Sequence, residues 1–251
     1  MQLADYIRQA RRILIFTGAG ISTGSGIPDF RGPQGIWTRR QPVYYQDFLS
    51  SEAARLEYWD QKLESWETFR TARPNAVHHA ARMLESSDKL LMVVTQNVDG
   101  LHAQAGISAE RLLEVHGTNA EVECQSCGRR APADPVVRRF EAERVPPRCE
   151  CGGLLKAATI SFGQALDPRV LASAQDAAEQ CDLVIALGST LAVQPACLIP
   201  LLAAQRGTPY IVVNRGVTDH DGLPDVSLRL EGDVAQIFPA AVQSALGPVH
   251  R

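Results

Sequence analysis

Four cysteines have the spacing of ligands for a structural metal ion. Cys124 and Cys127 form a C-x-x-C pair, and Cys149 and Cys151 form a C-x-C pair after a segment of about 20 residues. Paired cysteines on two such turns are typical of a zinc ribbon, in which four thiolates surround the metal tetrahedrally. Because four thiolates leave no open coordination position, the sequence predicts one structural zinc ion and no catalytic metal here.

A glycine-rich segment near the N-terminus has part of a nucleotide-binding pattern. Gly18-Ala19-Gly20 offers a tight turn and bare backbone amides, the groups that bind a pyrophosphate at a helix N-terminus. Thr23 stands where the G-x-G-x-x-G pattern has its third glycine, and no acidic residue closes the second predicted strand. The segment therefore predicts a nucleotide that is bound in a non-standard way.

Small and polar residues follow each of four apolar runs. In an open α/β sheet the ligand crevice lies beyond the carboxyl ends of the strands. A single segment of this kind could merely end a strand, but four at one edge predict a lined pocket. The four segments are Thr17 to Gly20, Gln96 to Gly100, Gly188 to Thr190 and Asn214 to Gly216.

The apolar runs themselves predict strands that are buried on both faces of a parallel sheet. Amphipathic stretches between them predict helices, and the alternation is typical of a doubly wound, Rossmann-like α/β domain. The predicted strands are Ile13 to Phe16, Leu90 to Val94, Leu183 to Leu187 and Tyr210 to Val213, with a fifth from Arg111 to Val115. The predicted helices are Asn75 to Glu85, Pro168 to Glu179, Ala196 to Arg206 and Asp233 to about Ala245.

A long insertion separates the first two strands. Its first part, Ile27 to Pro33, is punctuated by glycine and proline and predicts an ordered loop that could cover a ligand. Its second part, Glu52 to Phe69, carries apolar residues at helical spacing, and such a stripe predicts core packing. The stripe consists of Leu56, Trp59, Leu63 and Trp66.

The overall composition is that of a globular protein with a buried core. The 251 residues are 45% hydrophobic and 21% charged, and the net charge of -3 favours neither a nucleic-acid partner nor an anionic membrane surface. The N-terminus lacks the pattern of a signal peptide, and no apolar run reaches the roughly 18 residues of a membrane helix. We therefore expect a cytoplasmic protein, in which Cys181 and Cys197 are small core residues. The oligomeric state stays open.

Several long strings in this sequence occur in the order known from one enzyme family. They are Gly18 to Ser22 with Gly26 to Arg31, Thr95 to His102, Leu113 to Gly117, the paired cysteines, Gly188 to Leu191 and Val213-Asn214. Together they resemble the sirtuins, the NAD-dependent protein lysine deacylases, over nearly the whole chain. The helical insert resembles that of class II sirtuins, whereas Phe30 to Trp37 resembles another branch, so the subclass features are mixed.

The resemblance implies a reaction and two catalytic residues. In sirtuins the acyl oxygen of a modified lysine attacks the anomeric carbon of NAD and expels nicotinamide. A histidine then acts as general base on a ribose hydroxyl, which carries the acyl group away. By resemblance His116 is that base, and an imidazole with an unperturbed pKa of about 6.5 can accept the proton at neutral pH. Asn97 orients the ribose or a water molecule.

The resemblance also implies the residues that bind NAD and the acyl-lysine. Asp99 and Ile27 hold the nicotinamide amide, Phe30 shields the reactive carbon, and Arg31 lies by the diphosphate. The acyl-lysine channel passes Ile160, Phe162 and Val193. The full set of implied NAD contacts is Gly18, Ala19, Gly20, Ser22, Ile27, Asp29, Phe30, Arg31, Gln96, Asn97, Asp99, Gly188, Ser189, Thr190, Asn214, Arg215, Gly216 and Val234.

The same resemblance divides the chain into two domains. Residues 1–37, 74–120 and 157–251 would form the Rossmann-like NAD-binding domain. The helical insert, 38–73, and the zinc-binding module, 121–156, would form the small domain. Two positions depart from the family pattern, since Ala157 replaces a common proline and Gln164 a frequent glutamate.

We therefore expect an NAD-dependent protein lysine deacylase that acts on acylated lysine side chains of proteins. Two alternatives are a mono-ADP-ribosyltransferase with the same NAD pocket and a catalytically silent NAD-binding module. An intact His116 argues against the silent module, because binding alone needs no base. Residues 38–73 lack the Tyr-x-x-Arg pair of desuccinylating members. An unpaired buried carboxylate costs several kcal/mol, so we expect neutral acyl chains, from acetyl upward, to be preferred over acidic ones.

Overall fold

Two sheets and the helices around them contain the regular structure of this computed structural model, which describes residues 2–30, 35–36 and 40–247. The strands are β1 (Ile13–Thr17), β2 (Leu90–Thr95), β3 (Leu112–Glu114), β4 (Gly117–Cys124), β5 (Arg130–Pro132), β6 (Leu155–Thr159), β7 (Leu183–Leu187), β8 (Tyr210–Asn214) and β9 (Leu228–Glu231). The α-helices are α1 (Leu3–Gln9), α2 (Tyr45–Ser50), α3 (Glu52–Thr71), α4 (Ala76–Ser86), α5 (Leu101–Gln104), α6 (Ala133–Glu143), α7 (Pro168–Gln180), α8 (Leu198–Gln205) and α9 (Val234–Leu246). None of the helices in these ranges has the length and apolarity needed to cross a membrane.

The larger sheet confirms the predicted doubly wound α/β fold. Its six strands follow the order β3-β2-β1-β7-β8-β9, and every neighbouring pair is parallel. The strand order reverses between β1 and β7, which is the switch point where ligands bind in such sheets. The five predicted strands are all present, and β9 at the edge was not predicted from the sequence.

Side chains of β1 alternate between two cores, one on each face of the sheet. Ile13 and Ile15 pack with residues of α1, α4 and α9, whereas Leu14 and Phe16 pack with residues of α7 and α8. Every residue of β1, β7 and β8 is buried. Burial on both faces explains why these strands are continuous apolar runs rather than alternating ones.

A second, antiparallel sheet in the order β5-β4-β6 packs with α2, α3 and α6 around a core of its own. Trp59 of α3 is 1% exposed in this core, and its ring centroid lies 5.9 Å from that of Phe140. The apolar stripe of α3 therefore packs as predicted. Strand β4 begins at Gly117 and β6 ends at Thr159, a few residues outside the predicted module at each end.

Side-chain caps begin four of the helices that surround the sheets. The caps are Ser51 for α3, Asn75 for α4, Asp167 for α7 and Asp233 for α9, and each accepts a hydrogen bond from a backbone amide of the first turn. Asn75 also donates to the carbonyl of Ile21 at 2.8 Å. This contact fixes the start of α4 against the glycine-rich loop after β1.

Candidate active site

The loops after β1 and β7 are packed so closely that side chains do not fit between them. The amide of Gly18 donates to the carbonyl of Leu187 at 3.0 Å, and that of Gly20 donates to Gly188 at 2.9 Å. A Cβ atom added at Gly18 or Gly20 would lie 2.8 Å from the carbonyl oxygen of Gly188. Gly188 itself has φ +58°, a conformation that favours glycine. The G-x-G pattern is therefore required by loop packing at the switch point.

The loop after β2 joins these two loops through side-chain hydrogen bonds. Gln96 donates to the hydroxyl of Ser189 at 2.8 Å. Asn97 is buried and donates to the hydroxyl of Ser22 at 3.2 Å, and Ser22 donates in turn to the Asp99 carboxylate at 2.8 Å. Residues that lie far apart in the sequence thus form one polar network at the carboxyl edge of the sheet.

Asp99 is the charged member of this network. Burial raises the pKa of its carboxyl group above the ordinary value, whereas hydrogen bonds from the Leu101 amide and the Ser22 hydroxyl lower the pKa. The Leu101 amide donates at 2.9 Å, so Asp99 also binds the first residue of the short helix α5. The carboxylate therefore contributes to local structure and offers a charged acceptor at the site.

His116 follows β3 and is oriented by the loop after β2. Its Nδ1 lies 3.1 Å from the carbonyl oxygen of Gln96. Because a carbonyl oxygen can only accept, Nδ1 carries the proton of the neutral ring, and Nε2 is the basic nitrogen. The amide of Ile160 donates to the backbone carbonyl of His116 at 2.8 Å, which fixes the main chain at the same point. This tautomer is the one that a general base acting through Nε2 requires.

His116 lines a cavity of about 570 Å³, which we call the His116 cavity. This volume is within the usual range for small-molecule sites, roughly 300–1,000 Å³. The part of its wall that matches the predicted channel is apolar. It comprises the predicted Ile160, Phe162 and Val193 and, in addition, Phe30 and Val98.

A polar part of the same wall was not predicted from the sequence. It is formed by α3 and β4, and its residues are Tyr58, Gln61, Lys62, Ser65 and Asn119. The α3 residues lie at helical spacing beside the apolar stripe of that helix, and this was the available sequence signal. Lys62 donates to the side-chain oxygen of Asn119 at 2.7 Å, which joins the helix to the strand.

The remaining predicted NAD contacts are distributed around this edge. Ile27 packs in a small apolar cluster with Ala72 and Leu101. The carbonyl of Asp29 accepts from the amide of Ile36 at 3.0 Å. The carbonyl of Thr190 accepts a hydrogen bond from the backbone amide of Asp219 at 2.9 Å. Ala19 lies in a single 3₁₀ turn after β1. Arg31 lies outside the described residues.

The predicted residues after β8 form a turn at the far side of the sheet. The side-chain amide of Asn214 donates to the carbonyls of Arg215 and Gly216, at 3.0 and 3.1 Å. Arg215 is exposed and pairs with Asp233 at 3.0 Å. Val234 begins α9, and its side chain is buried in the core. Among the described residues, no hydrogen bond joins this turn to the polar network around Asn97.

The four predicted zinc ligands lie together, and all four sulfur atoms are within 4.8 Å of one another. The Cys124 and Cys151 sulfurs are 3.5 Å apart, and those of Cys127 and Cys149 are 3.9 Å apart. Four sulfurs around one Zn²⁺ at about 2.3 Å would be separated by about 3.8 Å. Backbone amides of Cys127 and Ser126 lower the pKa of the Cys124 thiol, whereas the neighbouring sulfurs raise the pKa of the Cys151 thiol. The donor set therefore fits one tetrahedral zinc.

The other two cysteines are separate from this cluster. Cys181 and Cys197 are buried in the core beneath the larger sheet, as predicted.

Comparison with protein families identifies the chain. A family model described as the Sir2 family matches residues 18–195, well over half of the sequence. The chain belongs to the Sir2 family. The match includes the glycine-rich loop, the loop after β2, His116 and the four clustered cysteines, and it ends before the turn after β8.

Sir2-family relatives cover almost the whole chain. The NAD-dependent protein deacetylase 1 of Bradyrhizobium diazoefficiens is 41% identical over 91% of this chain and 90% of its own length. An NAD-dependent protein deacetylase of Sulfolobus acidocaldarius is 38% identical over 100% of this chain and 96% of its own.

Solved Sir2 structures have the same fold. One structure, of a Sir2 protein with a deacetylated p53 peptide and 3′-O-acetyl ADP-ribose, is 32% identical with a TM-score of 0.88 over 97% of this chain and 98% of the other. Another, of Sir2 with a p53 peptide and NAD⁺, is 32% identical with a TM-score of 0.84 over 95% of both chains.

Proposed function

We propose that this Sir2-family chain is an NAD-dependent protein lysine deacylase. It transfers the acyl group of a modified lysine to the ADP-ribose part of NAD and releases nicotinamide. Relatives named as NAD-dependent protein deacetylases and a Sir2 structure with a deacetylated peptide and acetyl ADP-ribose support this activity. The observation that carries the proposal is the position of His116. Its Nδ1 is hydrogen-bonded to the Gln96 carbonyl, and its side chain lines the cavity.

The loops at the carboxyl edge of the sheet would hold NAD. When bound, NAD supplies an electrophilic anomeric carbon with nicotinamide as the leaving group. The bare backbone at Gly18, Gly20 and Gly188 suits a diphosphate, and the network of Asn97, Ser22 and Asp99 offers both donors and an acceptor for amide and hydroxyl groups. By resemblance, Asn214 at the end of β8 would contact the adenine-side ribose.

His116 would act as the general base. Its Nε2 accepts the proton of a ribose hydroxyl, and the carbonyl of Gln96 stabilises the cationic ring through Nδ1–H. The side chain of Asn97 donates to the Ser22 hydroxyl, and the backbone amide of Asn97 donates to Thr95 Oγ1 at 3.0 Å. These contacts preorganise the Asn97 side chain to orient a hydroxyl or a water molecule. The acylated lysine enters along Ile160, Phe162 and Val193.

We further propose that the four clustered cysteines bind one structural zinc ion, and that the chain divides at the predicted boundaries into a Rossmann-like domain and a small domain. The zinc would stabilise the turns that flank the antiparallel sheet, because it crosslinks β4 to the segment before β6. We also propose that the chain acts in the cytoplasm, where NAD and acylated proteins meet.

Incubation of the purified protein with NAD and an acetyl-lysine peptide tests this function. We expect nicotinamide release with transfer of the acetyl group to ADP-ribose, both followed by mass spectrometry. His116→Ala should lose deacylation by at least about 10²-fold while NAD affinity changes only a few-fold, because a base acts in the transition state. The exposed His79→Ala serves as the matched control. ADP-ribose attached to the peptide would instead favour the transferase, and NAD binding without turnover would favour the silent module.

A further inference from the structure

Lys62 places a cation in the polar wall of the His116 cavity. Its Nζ donates to Asn119 Oδ1 at 2.7 Å and lies 5.6 Å from the ring centroid of Tyr58. Within the described ranges no carboxylate forms an ion pair with Lys62. The positions outside those ranges contain no aspartate or glutamate. Among the described residues, the ammonium group therefore has a neutral partner and no countercharge.

A second lysine, outside the residues that line the cavity, lies behind this wall, and burial lowers its pKa to about 7. Lys156 of β6 is 1% exposed, and its Nζ lies 5.8 Å from the same Tyr58 ring. It donates to the carbonyls of Ala157 and Thr159. Burial lowers the pKa of Lys62 to about 8, so this side chain is still mostly protonated at neutral pH. Two lysines thus flank one aromatic ring, and each donates to uncharged oxygen atoms.

Arg40, which also lines the cavity among the described residues, is already neutralised. Arg40 forms ion pairs with Glu57, at 3.3 Å, and with Glu64. Asn119, by contrast, is 7% exposed, and its side-chain nitrogen donates to none of the described residues. Lys62 and Asn119 therefore present unused N–H donors to the cavity, and two adjacent donors match the two oxygens of a carboxylate.

We propose that the His116 cavity accepts acyl groups that end in a carboxylate, and that Lys62 and Asn119 bind this carboxylate. The proposal rests on the proposed deacylase function and specifies its substrate class. It reverses the expectation from the sequence, which considered only a Tyr-x-x-Arg pair as the carboxylate partner. Lys62, in α3 of the helical insert, supplies the positive charge that the arginine of such a pair would supply. A neutral acyl chain of the same shape would leave the ammonium without a countercharge.

The test uses pairs of acyl-lysine peptides that have the same shape and differ in charge. Succinyl-lysine is paired with 4-methylpentanoyl-lysine, in which an isopropyl group replaces the carboxylate, and glutaryl-lysine is paired with 5-methylhexanoyl-lysine. We expect kcat/KM for at least one acidic peptide to exceed that of its neutral partner by roughly 10- to 100-fold. This factor is the usual contribution of a hydrogen bond to a charged group. Equal or faster turnover of the neutral partner in both pairs would overturn the proposal. This comparison needs only the wild-type chain.

Variants at Lys62 assign the effect to this residue. Lys62→Met should abolish the preference for the acidic peptide, whereas Lys62→Arg should keep most of it. Arg70→Met is the matched control, because Arg70 is an exposed cation on the same helix, paired with Glu67 outside the cavity. An equal loss for both peptides in Lys62→Met would mean that Lys62 is only structural. Turnover of none of the peptides, acetyl-lysine included, would contradict the deacylase function itself.

Discussion

The contact between the loops after β1 and β7 allows a sharp test of the switch point. In Gly20→Ala the new methyl group would lie 2.8 Å from the Gly188 carbonyl oxygen and 2.9 Å from the Gly188 Cα. Both atoms are backbone atoms, and the Gly20 amide is hydrogen-bonded to that carbonyl at 2.9 Å, so neither loop can yield alone. Overpacking of this kind costs about 1–3 kcal/mol, which corresponds to a fall in Tm of roughly 2–12 °C for a chain of this size.

Gly24→Ala is the matched control within the same loop. A Cβ atom at Gly24 would meet only the side chain of Asn75, at 3.5 Å, which is an ordinary contact distance. We expect its Tm to stay within about 2 °C of the wild type, since loss of chain entropy in the unfolded state slightly favours alanine. Differential scanning fluorimetry and urea titration measure both variants, and steady-state assays measure KM for NAD. A Gly20→Ala protein with wild-type Tm and KM would refute the close packing of the two loops.

Two further outcomes are expected. Cys151→Ser should release the single zinc per chain and unfold the small domain, whereas Cys197→Ala, outside the cluster, should keep the metal. Metal analysis and circular dichroism measure the zinc content and the folding of both variants. A wild-type protein that is fully folded without zinc would contradict this prediction. Burial lowers the pKa of His78 to about 4 and that of His102 to about 3 in the folded chain. In the unfolded chain both histidines have the ordinary pKa of 6.5, so below pH 6.5 the unfolded chain binds more protons than the folded chain. Unfolding free energy should therefore fall as the pH drops from 6.5 toward 4, by up to about 1.4 kcal/mol per pH unit for each histidine. His78→Gln should reduce this slope and the exposed His79→Gln should not; an unchanged slope in His78→Gln would exclude His78 as its source.

The sequence predicted the sheet and its carboxyl edge well, for a physical reason. Strands that are buried on both faces must be apolar at every position, so the runs such as Leu183–Leu187 mark the strands almost to the residue. Polar loops that follow such strands must share one edge, so the sequence alone predicts that the loops of Gln96 and Ser189 lie close together, and the two side chains form a hydrogen bond. The zinc cluster followed from spacing alone.

Other parts depended on contacts that local patterns do not reveal. Strand β9 is short and only partly buried, so it has no apolar run. The polar wall of the cavity needs the packing of α3 on β4, which joins Lys62 to Asn119 across 57 positions of the chain. Periodicity identified the Trp59 stripe of α3 as core, but gave no reason to assign the adjacent Tyr58 and Lys62 to a cavity.

This packing also links the metal cluster to substrate selection. Cys124 is 1% exposed and belongs to the same core as Trp59 and Tyr58. The Tyr58 ring in turn lies 5.6 Å from the ammonium nitrogen of Lys62, which lines the cavity. The glycine loops, in contrast, are fixed by backbone hydrogen bonds to β7 and by Asn75, and none of these contacts involves the small domain. The zinc cluster should therefore control the position of Lys62 and the choice of acyl group, while the switch point of the larger sheet binds NAD independently of the metal.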